Sequence, residues 1–138
     1  MGLILDTSAL VEMERAGARL DRGFIEQDIV FLPAVVWAEA LVGVRLADSA
    51  GRAARRRARL EAIRRLTGIV PFSAEVAEHY ADIFSELHGA GQLIPQNDIA
   101  VAATARFLGA EVLLGPSDEK HFRRVAGLGV RVIDSSRL

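Results

Sequence analysis

Four acidic side chains, Asp6, Glu39, Asp98 and Asp118, stand where a folding chain would ordinarily avoid a carboxylate. Asp6 follows the apolar run Leu3-Ile-Leu5 at once. Glu39 has Val35 and Val36 one helical turn before it and Val42 and Gly43 one turn after, so its helical face is apolar. No basic residue lies within a turn of it. A carboxylate there either tilts to solvent or has a special partner, of which a metal ion is the simplest. Asp98 opens a helical pattern that is otherwise rich in alanine and apolar residues. Asn97 and Asp98 are both helix-capping types, but only one of two adjacent residues can be the cap, and Asn97 in that role leaves Asp98 to point inward. Asp118 lies four residues past the apolar run ending at Leu114.

Carboxylates brought together repel one another and raise each other's pKa unless a cation intervenes. Hard oxygen ligands suit Mg2+ or Mn2+, and such ions activate water and stabilise charge on a phosphoryl group. With no cysteine and no HExxH pattern, a converging set of acids points to phosphodiester hydrolysis. A chain with 18 acidic residues offers other such sets, so position on the fold has to decide.

The elements that position these acids can be read from apolar periodicity. Leu3–Leu5 and Ile29–Leu32 read as strands, as do Gly68–Phe72, Val112–Leu114 and Val130–Ile133. Asp6-Thr-Ser8 favours the start of a helix, and Pro33 suits the first position of a helix through Val42. Helices are expected over Arg52–Leu66, Ser73–His88 and Asp98–Leu108, the last buried and ended by Gly109. Alternating strands and helices predict an α/β fold, a parallel sheet with helices on both faces. In such sheets ligands bind beyond the carboxyl ends of the strands, where strand order reverses. If the first and fourth strands are neighbours at that reversal, Asp6 and Asp118 face one crevice.

The 138 residues suit a single domain spanning 1–138, and 51% hydrophobic with 25% charged residues excludes a disordered chain. A net charge of -1 excludes nucleic-acid binding through overall positive charge, so any such contact needs a local patch. The absence of cysteine excludes disulfide frameworks, thiolate zinc sites and cysteine nucleophiles, and fits a reducing cytoplasm. The first residues do not read as a signal peptide, and Asp6 stands where a myristoylation motif wants Ser or Thr. The longest apolar stretch is broken by Pro33 and Glu39, short of the ~20 clean residues of a membrane span. A cytoplasmic, soluble protein is expected.

Asp6-Thr-Ser-Ala-Leu after an apolar strand, Glu39 in a Trp-Ala-Glu helix, Asn97-Asp98-Ile-Ala-Val-Ala-Ala-Thr-Ala105, and Asp118-Glu-Lys-His-Phe122 followed by Val125-Ala-Gly-Leu128 resemble the PIN-domain family. Within it the chain is similar to the VapC-type toxins of bacterial toxin–antitoxin pairs. The resemblance implies a three-layer α/β/α fold with a five-stranded parallel sheet, and Mg2+- or Mn2+-dependent cleavage of RNA by an activated water. It places the four family acids on Asp6, Glu39, Asp98 and Asp118, as catalytic and metal-holding residues, and a supporting hydroxyl on Ser8. It also implies a homodimer and a cognate antitoxin that blocks the acidic groove. One departure stands out: Pro116 occupies a position where the family commonly has Thr or Ser, leaving Ser117 as the nearest hydroxyl to Asp118.

Plainer readings run beside these. Asp6, Ser8, Asp98 and Asp118 could each cap a helix, and Glu39 could reach solvent. The run Arg52, Arg55, Arg56, Arg57, Arg59, Arg64, Arg65 fits RNA phosphates, an antitoxin-facing surface or a solvated helix face. His79, His88 and His121 lack metal-ligand spacing and read as structural or surface residues. Trp37, Phe84 and Phe107 read as core or interface. A haloacid-dehalogenase-like phosphatase also begins strand–Asp but wants a second Asp where this chain has Ser8. From a different class, a catalytically weak PIN-like module that only docks RNA or a partner is the alternative.

Overall fold

The computed structural model describes residues 2–16 and 28–133. Five strands, β1 (Gly2–Leu5), β2 (Ile29–Pro33), β3 (Gly68–Val70), β4 (Glu111–Leu114) and β5 (Val130–Val132), form one sheet in the order β3-β2-β1-β4-β5. Every adjacent pair is parallel. The helices described are α1 (Thr7–Ala16), α2 (Ala34–Arg45), α3 (Ala50–Arg64), α4 (Ala74–Gly89), α5 (Gln96–Leu108) and the short α6 (Glu119–Phe122). A 3-10 turn, Pro116–Asp118, precedes α6.

Successive strand residues point to opposite faces, so a strand buried at every position needs cover on both sides. Leu3, Ile4 and Leu5 are each 0% exposed, and Val112, Leu113 and Leu114 are as buried in the neighbouring strand. That requires three layers, helices–sheet–helices, around a core at β1 and β4. β3 ends at Val70, two residues before the expected Phe72; Pro71 and Phe72 are exposed beyond the sheet edge.

α5 is the central helix. Its residues Ile99 to Ala105 are buried without a break, and it packs on β1, β4 and α4. Alanine at four of those positions permits close approach to the sheet at no cost in helix propensity. The hydroxyl of buried Thr104 donates to the Ala100 carbonyl at 2.8 Å, so it brings no unpaired donor into the core. Gly109 ends the helix at φ 63°, in the left-handed region.

The chain leaves β1 towards β2 and β3 on one side and later returns to β4 and β5 on the other. Strand order therefore reverses between β1 and β4, as the position of Asp6 and Asp118 required. Among the described residues, no helix is long and apolar enough to cross a membrane.

Candidate metal centre

Asp6 is the first residue beyond β1 and is fixed from several directions. Its amide donates to the Leu113 carbonyl at 3.0 Å, tying it to β4, and its carbonyl accepts from Leu10, opening α1. Oδ2 accepts from the Ser8 amide at 3.3 Å and from the Ser8 hydroxyl at 2.7 Å. Asp6 thus caps α1 and still presents its carboxylate to the crevice. Ser8 Oγ in turn accepts from the Gly115 amide at 2.9 Å, which joins the start of α1 to the exit of β4. The junction is tight: a Cβ at 115 would lie 3.2 Å from both the Cβ and the carbonyl oxygen of Ser8, a contact that glycine avoids. Ser8 therefore holds the Asp6 carboxylate against the start of α1 and the exit of β4.

Asp98 lies in the first turn of α5. Neither it nor Asn97 is the cap; Pro95, in extended backbone, takes that position with no side-chain hydrogen bond, and the helix begins at Gln96. The helix thus starts two residues earlier than an Asn97 cap would place it, and neither capping reading holds. Asn97 instead reaches across to α2, where its Nδ2 donates to Glu39 Oε1 at 2.9 Å. The partner that Glu39 finds is a neutral amide.

Asp118 ends the 3-10 turn after β4. It stands at the cap position of α6 but makes no side-chain cap bond, so the capping reading fails. Ser117 is exposed, and among the described residues no hydrogen bond joins it to Asp118. His121, expected to be merely structural or superficial, lies at the site: its Nδ1 is 2.9 Å from Asp98 Oδ2. That contact spans two elements and 23 residues, so no spacing rule could reveal it.

One ligand oxygen from each of Asp6, Asp98 and Asp118 lies within 4.8 Å of the others. Glu39 stands outside this triad but lines the same cleft, about 560 Å³, together with Thr7, Ser8, Pro95, Gln96, Asn97, Asp98 and Asp118. Among the described residues, no lysine or arginine lines it. Burial pushes the Asp6 carboxyl from 3.8 up to about 7; the Asp118 carboxyl and the charge of Asp98 push the same way, and the Ser8 bonds oppose them. Asp98 is raised as well, first by burial, with Asp118 and Glu39 adding to it and His121 opposing. Asp6 is 1% exposed. A buried acid held near like charges, beside a cleft that no described lysine or arginine lines, is the environment that a divalent cation relieves, and carboxylate oxygens are the donors that Mg2+ and Mn2+ prefer.

The arginine run is largely spoken for. Arg52 pairs with Asp48, Arg56 with Glu14 on α1, and Arg57 and Arg64 with Glu61. The Arg57 and Arg64 guanidiniums also lie 5.8 and 5.5 Å from the Trp37 ring centroid, so Trp37 joins α2 to α3. Four of the seven arginines thus serve helix packing or surface pairs.

A family profile described as the PIN domain matches residues 3–128. The chain belongs to the PIN-domain family. It is 30% identical over 135 residues to Ribonuclease VapC1 of Rickettsia felis, covering 98% of each chain. Its fold is that of VapBC2 from Rickettsia felis, solved bound to a promoter DNA fragment, with a TM-score of 0.82 at 20% identity, covering 97% of this chain and 100% of that one. It is also similar to VapBC-5 from Mycobacterium tuberculosis, a member of the VapBC family of toxin-antitoxin systems, with a TM-score of 0.72 and 28% identity, covering 96% and 97%.

Proposed function

We propose that this chain is a VapC-type toxin: an endoribonuclease that hydrolyses RNA phosphodiester bonds with Mg2+ or Mn2+ and is held in check by a cognate antitoxin. The observation that carries this reading is the convergence of Asp6, Asp98 and Asp118 to within 4.8 Å, at a cleft that no lysine or arginine lines among the described residues. The resemblance to a named ribonuclease along nearly the whole chain supports the substrate class, and the VapBC-5 likeness supports the antitoxin. A homodimer belongs to the same reading.

Asp6, Asp98 and Asp118 would hold the cation directly, with Glu39 joining them directly or through water. Once bound, the ion supplies Lewis acidity towards a phosphoryl oxygen and towards water, and neutralises the developing charge. The chain's own residues do the rest. Ser8 fixes Asp6, and Asn97 orients Glu39 at the cleft wall. Among the described residues no lysine or arginine lines the wall, so no permanently charged side chain there neutralises the carboxylates before a cation arrives.

The test is RNA cleavage by the purified chain across an Mg2+ and Mn2+ titration, with and without EDTA, beside Asp6→Asn. Cleavage should need the ion and fall at least about 100-fold in the variant while its circular dichroism is unchanged. Full activity in EDTA, or in Asp6→Asn, would reject the mechanism. Cation-dependent RNA binding without cleavage by the wild type would favour the docking-module alternative.

A further inference from the structure

His121 and Asp98 are carried by two elements that are each anchored in the core. Asp98 immediately precedes the fully buried stretch of α5. His121 immediately precedes Phe122, which is 0% exposed, and Val125 below it is 4% exposed. The 2.9 Å contact between Nδ1 and Oδ2 is therefore set by packing on both sides. The His121 side chain is 24% exposed and that of Asp98 14%, and Asp98 lines the cleft with His121 against it.

A carboxylate oxygen has two lone pairs, so accepting one N–H leaves Asp98 able to take a cation. What the bond removes is rotation of the carboxylate plane. A neutral imidazole suits this task better than lysine or arginine: a permanent positive charge here would satisfy Asp98 outright and repel a divalent ion.

We propose that His121 is a positioning residue of the metal centre, whose Nδ1–H, donated to Asp98 Oδ2, sets the plane in which that carboxylate meets the cation. The inference rests on the cation reading of the acidic cleft.

Mn2+ binding followed by electron paramagnetic resonance tests it on wild type, His121→Ala, His121→Asn and Asp6→Asn, each checked for native circular dichroism. Asparagine places an N–H where Nδ1 stands, without the ring. His121→Ala should bind Mn2+ about 10- to 100-fold more weakly, the range found when a group that orients a ligand is removed. His121→Asn should recover most of that loss, and RNA cleavage by His121→Ala should return as Mn2+ is raised. Affinity in His121→Ala within about twofold of wild type, or His121→Asn no better than His121→Ala, overturns the positioning role while leaving the metal centre standing. Wild type that binds no Mn2+, or Asp6→Asn that binds as wild type does, overturns the cation reading itself and this inference with it.

Discussion

Replacing Asp6 by Asn should stabilise the cation-free protein at alkaline pH even as it removes function. In the folded chain the Asp6 carboxyl titrates at about 7, against 3.8 for the ordinary group, chiefly because it is buried. Between these values the unfolded chain has already lost a proton that the folded chain keeps. Stability therefore falls as pH rises through this window, and the loss is complete above about 7. At ~1.36 kcal/mol per pH unit, ionising Asp6 costs the fold up to ~4 kcal/mol. Asn keeps the shape, and its Oδ1 can accept both Ser8 donors while its amide N–H groups turn a repulsive contact with Asp118 into an attractive one. Because Asp98 and Asp118 share the strain, ~2–4 kcal/mol of the cost should be relieved. The assay is urea denaturation in EDTA at pH 5 and pH 8. The variant should exceed wild type by that amount at pH 8 and by only about a third of it, ~1–1.5 kcal/mol, at pH 5. Saturating Mn2+ should reverse the order at pH 8 by stabilising wild type alone. A variant no more stable than wild type at pH 8 without metal would show that the Asp6 carboxylate is not strained, and the electrostatic case for a cation would fail.

Ser8→Ala should lower stability by about 1–3 kcal/mol in thermal or urea melts, since it strands the buried Gly115 amide as well as freeing Asp6; an unchanged melt would show that the Ser8 bridge contributes nothing. Asn97→Ala, which frees Glu39 from an exposed bond, should leave the melt unchanged but slow RNA cleavage about 10-fold, and wild-type kinetics would remove Asn97 from the site. Gly43→Ala should be nearly neutral alone, because the added Cβ meets the Arg56 guanidinium and disturbs its 2.9 Å contact with Glu14, offsetting the helix gain. In an Arg56→Ala background the same change should stabilise by up to ~1 kcal/mol, and equal effects in both backgrounds would refute the close approach.

The parts of this site that sequence could disclose were those written in local pattern. Asp6 ending an apolar strand, Asp118 just past another, and Glu39 on an apolar helical face each break a pattern that burial imposes, and all three line or adjoin one cleft. The parallel sheet follows from alternation, whereas the adjacency of β1 and β4 entered only as a condition, which the observed strand order meets. The partners were hidden because they are tertiary. Asn97 reads as a cap until Pro95 claims the start of α5, and only then is its amide seen at Glu39, 58 residues away. His121 meets Asp98 only because Phe122 anchors α6 beside α5. Gly115 is one glycine among 12 until the backbone of α1 comes within a Cβ's reach of it. Likewise the arginine run reads as a charged patch, whereas Glu14 and Trp37, which engage part of it, come from other helices.

Anomalous diffraction from crystals soaked in Mn2+ addresses the cation directly. A peak should lie within ligand distance of carboxylate oxygens of Asp6, Asp98 and Asp118, about 2.0–2.2 Å for a first-row divalent ion, with His121 still bonded to Asp98. Ordered crystals whose only Mn2+ peaks fall away from these three side chains, or that show none at saturating Mn2+, would contradict a shared ion as the reason these acids are gathered in one cleft.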